Sequence, residues 1–533
     1  MKFKCPYCFV ELEDNEVLFR LNDENILKKL ENDFLQFENQ IFGSKVDSNG
    51  LQILSWQQFE DDYTGSDRQS ILNKKEELSQ WLPKRNDIYE TWWERYGGVP
   101  HEMDTKRNNP IIDPKDPNYQ VFLEKQGQDY YLRNTSGFCQ GVRLKDTIDI
   151  HRSQCTDRVC PHCHNPLPDG YGSQSIKIIA VIGITASGKT VYLSTLLSNM
   201  RSLVRKCGLT AYDNANLTAD FVSRNRVHID SSIPQSTPFK SFQPPLYFEV
   251  DSRLEGKSIQ KETFVIYDIA GENFEESNKG QIANYVRYIR HADGIIFLVD
   301  PMQIEDIVQA NTTGGKHRGA AEEAIHSIHA ILSENNPGQM VETNIAVCLP
   351  KSDMSVVQDM FAQDVPNGDL IRALNKDVQP IRDNKGINQA LFNAVDYNKI
   401  SEGLTAVMNN RADGLHQYMY GNFINFNYFA FTALGCDVEV REDGKQYPAS
   451  IVQPRRIVEP LLWLFYRFGY IGSNENVFSP ARVFVSCPVC GKDDTEEKVE
   501  VIPAKGILAK VLRKVEEVNY KCNTCQHQWY HVD

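Results

Sequence analysis

Residues 183–190 read GITASGKT: a glycine, four residues, a second glycine, then lysine and threonine. This spacing suits the holding of a phosphate chain. Gly183 and Gly188 let successive backbone N–H groups turn toward an anion, and a helix starting there adds the positive end of its dipole. Thr185, Ala186, Ser187 and Val191 complete the cradle. Lys189 brings an ammonium to the β- and γ-phosphates, and the Thr190 hydroxyl is a hard oxygen ligand for Mg²⁺. A chance glycine turn is the competing explanation. The apolar run IKIIAVIGI before the motif and the helically spaced GKTVYLSTLLSNMRSLV after it favour phosphate binding.

A phosphate loop needs a carboxylate to complete its metal site. FVIYDIAG at 264–271 is a strand pattern ending in D-x-x-G. It places Asp268 to hold Mg²⁺ through water and the Gly271 N–H to sense the terminal phosphate. Glu272 follows, where a side chain that orients water is expected. Its charge faces phosphates, so a nearby cation or a raised pKa must compensate. That predicts slow hydrolysis unless a partner supplies an arginine, because no arginine in the sequence can be assigned that role. SSIPQSTPF at 231–239 offers Thr237, with Ser236 as its rival, for a hydroxyl that reaches both Mg²⁺ and γ-phosphate. An ordinary proline-bounded loop is the alternative. Asp300, ending GIIFLVD, competes with Asp268 and fits an ATPase-type strand order. Pro301 follows it and no glycine sensor does, so Asp268 is preferred.

Two further loops concern the base. AVCLPKSD at 346–353 ends a strand in K-x-D. It resembles the N/T-K-x-D motif of Ras-type GTPases, in which the Asp carboxylate accepts hydrogen bonds from guanine N1–H and the N2 amine. The resemblance gives those roles to Asp353 and lays the Lys351 stem along the base, while Pro350 stands where the family has Asn or Thr. FTALG at 431–435 resembles the short S/T-A motif whose alanine N–H meets guanine O6, which points to Thr432, Ala433 and Leu434. Each motif alone has a solvated loop as its usual explanation. In this order, each at a strand end, they point to GTP and GDP.

Eight of the thirteen cysteines form CxxC pairs: Cys5/Cys8, Cys160/Cys163, Cys487/Cys490 and Cys522/Cys525. In a reducing compartment such pairs ligate metal, and four thiolates make a closed structural Zn²⁺ site. The two C-terminal pairs look like a zinc ribbon, with KVEVIPA and KVEEVNY between them as hairpin strands. There His527 and His531 read as surface residues. The two N-terminal pairs have no near partners, and one shared site with 9–159 looped out is the simplest solution. Cys155, His151, His162 and His164 are substitute ligands, and a redox CxxC is a poorer rival because no thioredoxin-like pattern surrounds either pair. Two structural Zn²⁺ ions are therefore expected. Cys139, Cys207, Cys348 and Cys436 read as small buried apolar residues.

The chain that must position these groups has 533 residues, enough for two to four domains. Its formal charge is −14, so non-specific attraction to nucleic acid starts from a disadvantage. AKGILAKVLRK at 504–514 is a local basic stripe (Lys505, Lys510, Arg513, Lys514) that a solvated face explains better. No apolar run reaches the roughly 18 residues that span a bilayer. The opening MKFKCPYCFVEL also lacks a secretory pattern, so a cytoplasmic protein is expected. IKIIAVIGI, LYFEV (246–250), TFVIYDI (263–269), GIIFLVD (294–300), TNIAVCL (343–349) and NYFAFTAL (427–434) are strand patterns with helical stretches between most of them. This predicts an α/β sheet with ligands at the C-terminal strand edge. Residues 22–42 and 451–469 read as helices. Trp81, Trp92 and Trp93 read as core packing before a base-stacking platform.

Taken together, GITASGKTVYLSTLL, DIAGE, LPKSD, FTALG and EPLLWLF resemble the TRAFAC class of GTPases. They are most similar to the bacterial double-GTPase type of conflict and defence gene clusters. The resemblance covers about 176–470 and implies a P-loop NTPase domain with a Ras-like core at 176–472, carrying a helical insertion at about 354–425. Residues 1–20 with 151–175 are expected to form a split zinc-ribbon module, 21–150 an inserted, mostly helical domain, and 478–533 a C-terminal zinc ribbon. The function implied is a GTP-binding and GTP-hydrolysing switch in a defence or stress system that signals to protein partners. A nucleotide-gated scaffold with little turnover, and an ATP-driven machine gripping nucleic acid through its ribbons, are the alternatives.

Overall fold

The computed structural model describes residues 2–22, 24–96, 104–113, 123–126, 129–132, 142–143, 156–168, 170–184, 187–212, 216–234, 244–252, 260–268, 287–304, 320–334, 337–366, 368–480, 495–502, 515–522 and 527–530.

Its centre is a sheet of seven strands: β1 (Ser175–Gly183), β2 (Thr210–Tyr212), β3 (Leu246–Ser252), β4 (Gln260–Asp268), β5 (Gly294–Leu298), β6 (Asn344–Leu349) and β7 (Phe426–Ala430). The order across the sheet is β2-β3-β4-β1-β5-β6-β7. From β4 to β7 every pairing is parallel, while β2 and β3 run antiparallel at one side. β1 shows why its sequence is apolar from Ile178 onward. Ile178, Ala180 and Ile182 point into one core and Ile179 and Val181 into the other, all of them buried. A strand covered on both faces has no side left for polar residues.

Helix α1 (Lys189–Lys206) and helix α3 (Glu459–Arg467) contribute to the core that contains Ile179 and Val181. Helix α2 (Ala320–Ser333) contributes to the other. Four helices, Ser355–Asp364, Asp369–Leu374, Ala394–Arg411 and Asp413–Asn422, fill the chain between β6 and β7. The helix expected over 451–469 is shorter, because Pro454 lies in its approach and Pro460 fits only the first turn, where no N–H is required. The edge strand β2 has no counterpart in the periodicity, since three residues are too few to show one.

The strand register brings the parallel strands' C-terminal ends into line. Asp268 lies opposite Val181, Leu298 opposite both Gly183 and Cys348, and Leu349 opposite Ala430. Loops that follow five strands therefore share one edge of the sheet.

At the N-terminus, strands Lys2–Lys4 and Glu11–Glu13 pair around the CPYC turn. Leu18–Leu21 lies between Ile111–Ile112 and Thr156–Val159, with Leu21 opposite Thr156, so the chain leaves and returns at neighbouring points. Helices Glu24–Ser44, Trp56–Asp62, Arg68–Ser79 and Asp87–Tyr96 lie between them. Trp81, Trp92 and Trp93 are buried, and the Trp93 indole donates to Asn165 Oδ1 at 2.9 Å. Near the C-terminus, Thr495–Ile502 pairs with Val515–Cys522, which pairs with Gln528–Tyr530. Among the described residues no helix is long and apolar enough to cross a membrane.

Candidate functional site

β1 ends at Gly183, where an added Cβ would lie 2.3 Å from Ser187 Oγ and 3.2 Å from Leu298 Cβ. A side chain there would make the Ser187 hydroxyl turn away and Leu298 give by a few tenths of an ångström, so glycine is what allows this approach of loop to strand. Gly188, the residue before α1, has φ +80°, a conformation that costs any residue with a Cβ about 1–2 kcal/mol. The chain thus turns sharply out of the sheet and directly into α1, leaving the helix's first N–H groups facing a cavity of ≈ 1570 Å³. Ser187, Gly188, Lys189, Thr190 and Val191 line it.

Lys189 and Asp268 are both buried, with Nζ 3.0 Å from Oδ1. The register of β4 against β1 sets this distance, because it carries Asp268 to the end of the strand beside the loop. The Thr190 hydroxyl and the Asp268 carboxylate are hard oxygen donors of the kind Mg²⁺ takes, so the residues fit that ion. Thr185, Ala186, Thr237, Gly271 and Glu272 lie outside the described residues.

Lys351, Asp353, Thr432, Ala433 and Leu434 line the same cavity, delivered by the loops after β6 and β7. Ser352 N–H donates to the Phe431 carbonyl at 3.2 Å, which ties the two loops together. Lys351 has φ +61°, a strained setting for a lysine. Its ammonium is 2.7 Å from Asp300 Oδ2, and Asp300 also accepts the Met302 N–H at 3.0 Å. Asp300, read from sequence as a rival metal ligand, is therefore engaged in holding Lys351. Thr432 N–H is spent on the Arg455 carbonyl at 3.1 Å. The Ala433 N–H donates to no backbone group among the described residues, leaving a donor for a base oxygen.

The sequence reading missed one wall. Residues 436–448 form a hairpin, Val438–Val440 with Gln446–Pro448, and Asp437, Val438, Gly444, Lys445 and Gln446 line the cavity. Its signal was present in VEVREDGKQYP, an Asp443-Gly444 turn between alternating residues. Cys436, expected to be buried, is half-exposed and lines the cavity, because the chain starts across the opening at that point.

The second site is a thiol cluster. Cys5, Cys8, Cys160 and Cys163 are buried with their sulfurs all within 4.8 Å of one another. Cys5 Sγ lies 3.8 Å from Cys163 Sγ and Cys8 Sγ 3.7 Å from Cys160 Sγ. Thiolates at about 2.3 Å around a tetrahedral Zn²⁺ stand roughly 3.8 Å apart, so the cluster fits that ion. The Tyr7 and His162 N–H groups each donate to a cluster sulfur at 3.4 Å, as the tight turns of CxxC pairs allow. His164 is turned away, with Nδ1 2.8 Å from Asn86 Oδ1, and burial and Arg20 hold its pKa down to about 4. Cys155, His151 and Cys139 lie outside the described residues, as do Cys487, Cys490, Cys525 and His531 of the expected C-terminal ribbon. Cys522 ends the strand Val515–Cys522.

Residues 177–383 match the Double-GTPase 2 family. This segment holds the phosphate loop, Asp268, Lys351 and Asp353. The chain carries a P-loop GTPase domain of the double-GTPase type. A relative of this GTPase chain is SaeC of Mycolicibacterium smegmatis, named as a candidate ESX-1 scaffolding and assembly protein. The two are 24% identical over 341 residues, 59% of this chain and 80% of SaeC. Among solved structures, the Saccharomyces cerevisiae Ski7 GTPase-like domain bound to GTP is 12% identical, with a TM-score of 0.22 over 65% of this chain. Sup35 complexed with GDP is 10% identical, with a TM-score of 0.19 over 49% of this chain. The chain spans 57% of the Ski7 chain and 38% of the Sup35 chain, and correspondences this loose transfer nothing.

Proposed function

We propose that this GTPase chain is a GTP-controlled switch that hydrolyses GTP slowly and governs the assembly of protein partners. The observation that carries the reading is the convergence of phosphate loop, Lys351/Asp353 and Thr432/Ala433 on one cavity from three strand ends. In this reading Lys189 leaves Asp268 for the β- and γ-phosphates, the Asp353 carboxylate accepts from guanine N1–H and N2, and the Ala433 N–H meets O6. Thr190, Asp268 and Thr237 are the residues that hold Mg²⁺, which neutralises charge building on the phosphates. Gly271 senses the γ-phosphate and Glu272 orients water. Segments 231–239 and 268–274 are the parts that GTP orders and hydrolysis releases. The assembly role extends to this chain what the name of SaeC says of that protein, within the multi-gene defence or stress setting that the family resemblance implies. The four N-terminal thiols hold one structural Zn²⁺ and the C-terminal pairs a second.

Competition binding of GTP, GDP and ATP in Mg²⁺ tests this. Selective guanine binding that Lys189→Ala weakens at least about ten-fold upholds it. ATP binding equal to or better than GTP overturns the base assignment and restores the ATP-driven alternative.

A further inference from the structure

The hairpin 436–448 joins two parts of the nucleotide site that are far apart in sequence. Its first strand continues directly from the base-contacting loop Thr432–Gly435. Gly435 makes the turn, with φ +65°, and an added Cβ there would lie 2.0 Å from the Gln453 carbonyl oxygen. The loop is clamped from behind by Gln453 N–H to Leu434 O at 2.7 Å and Arg455 N–H to Thr432 O at 3.0 Å. The far side of the hairpin reaches the segment that leads into 231–239. Ile233 N–H donates to the Gln446 carbonyl at 2.7 Å, and the Arg441 guanidinium donates to the Ile229 carbonyl at 3.0 Å. Arg441 is held for that contact by Glu439 at 2.8 Å and by stacking 4.2 Å over the Tyr447 ring. Between these attachments the hairpin faces the phosphate loop across the cavity, and Lys445 lines it, with its backbone N–H on Asp443 Oδ1 at 3.0 Å and that carboxylate close enough to feel its charge.

We propose that this hairpin is a clasp of the nucleotide site. Docked on residues 229–233 it closes over the bound nucleotide, its Lys445 ammonium meets the phosphates, and it mechanically links the seating of the base to switch segment 231–239. The proposal rests on the GTP-binding reading above. The cavity lining carries Lys189, Arg224, Lys351 and Lys445 against the carboxylates Asp353 and Asp437, a balance of charge that suits a polyphosphate. Lys189 and Lys351 already have carboxylate partners, and Lys445 supplies a further positive charge. A docked clasp also has to undock before the nucleotide leaves, so its contacts act on the release rate.

Release of fluorescent GDP and GTP analogues from the full chain, followed by stopped flow, tests the clasp. Arg441→Ala removes the Ile229 attachment and should speed release of both nucleotides about ten-fold, equivalent to about 1.4 kcal/mol. Arg441→Lys, which keeps a donor, should recover part of the loss. Lys445→Ala should weaken GTP and GDP while leaving guanosine affinity unchanged, since the ammonium meets phosphate and not base. Release within two-fold of wild type for Arg441→Ala, or equal weakening of guanosine and GTP by Lys445→Ala, overturns the clasp. Failure of the wild-type chain to bind guanine nucleotides at all, with ATP bound instead, overturns the GTP reading on which it stands. Thermal melting of each variant separates a lost fold from a lost clasp.

Discussion

Lys189 and Asp268 neutralise each other at 3.0 Å on the cavity floor, and both are buried. Removing either partner strands the other charge in a poorly hydrated place, which is costly, so function and stability are tied at this pair. Lys189→Ala should weaken Mg²⁺-dependent GTP binding roughly 10- to 100-fold, the worth of hydrogen bonds to a charged group, and lower the melting temperature as well. A fluorescence titration alongside a thermal melt reads both. In the proposed reading Asp353 acts by a different principle, as an acceptor opposed to two donors of guanine. Asp353→Asn puts an amide donor there, so binding should shift from GTP toward XTP by about ten-fold in ratio. Unchanged GTP preference in that variant would remove Asp353 from the base site. These residues stood out in the sequence because their chemistry follows from fixed short spacings. Asp300 stood out only as a rival metal ligand, and its pairing with Lys351 did not, because that partnership spans two strands and depends on their register.

At the scale of elements, the thiol cluster is packed against the C-terminal end of β4. The Tyr267 hydroxyl donates to the Pro6 carbonyl between Cys5 and Cys8. Phe9 lies 5.8 Å from the Tyr267 ring and stacks at 4.8 Å on His291, while Tyr267 stacks on Tyr288 at 4.6 Å. Tyr267 immediately precedes Asp268, so the order of the CPYC turn bears on the residue assigned to Mg²⁺. Burial pushes the Cys5 and Cys163 thiols up, so metal binding there must displace protons. A chain that holds two Zn²⁺ should hold one after Cys8→Ser with Cys160→Ser, counted by a chromogenic chelator. That variant should also bind GTP more weakly, as CPYC is no longer pinned beneath Tyr267. Full zinc content in the variant would place the metal elsewhere. The CxxC turns were legible from spacing alone, whereas the meeting of sulfurs from positions 5 and 163 is a long-range event that no local pattern encodes.

Across the whole molecule, the insertion between β6 and β7 is tied to the sheet domain by several contacts, among them Tyr397 Oη to the Tyr428 carbonyl, Lys206 to Asp377, and the guanidinium of a buried ion pair. Arg456 and Glu459 are each 2% exposed, with Nε 2.9 Å from Oε2. The same guanidinium reaches the Ala373 carbonyl in the last turn of helix Asp369–Leu374 at 3.4 Å and the Lys376 carbonyl just after it at 3.2 Å, and the Arg456 N–H donates to Asp377. Arg456→Met leaves Glu459 unpaired and those carbonyls without their donor. Urea unfolding should show a loss of about 3–5 kcal/mol. Arg456→Met with Glu459→Leu should return most of it, because two apolar side chains carry no buried charge. A single variant as stable as wild type would show that the pair does not join the units.

The sequence by itself determined the five parallel strands and β3, the strand–loop–helix of the phosphate-loop motif, the order of the K-x-D and T-A motifs along the chain, and the tight CxxC turns that became the N-terminal thiol cluster. Each depends on interactions over a few residues: backbone conformation, burial period, or ligand spacing in a tight turn. The tertiary structure decided which distant groups share a site. It set Asp300 on Lys351 through strand register, and joined Cys5 and Cys8 to Cys160 and Cys163 by returning the chain beside Leu18–Leu21. It also carried 436–448 across the nucleotide cavity to residues 229–233. Such contacts are chosen by packing of whole elements, and local spacing carries no record of them.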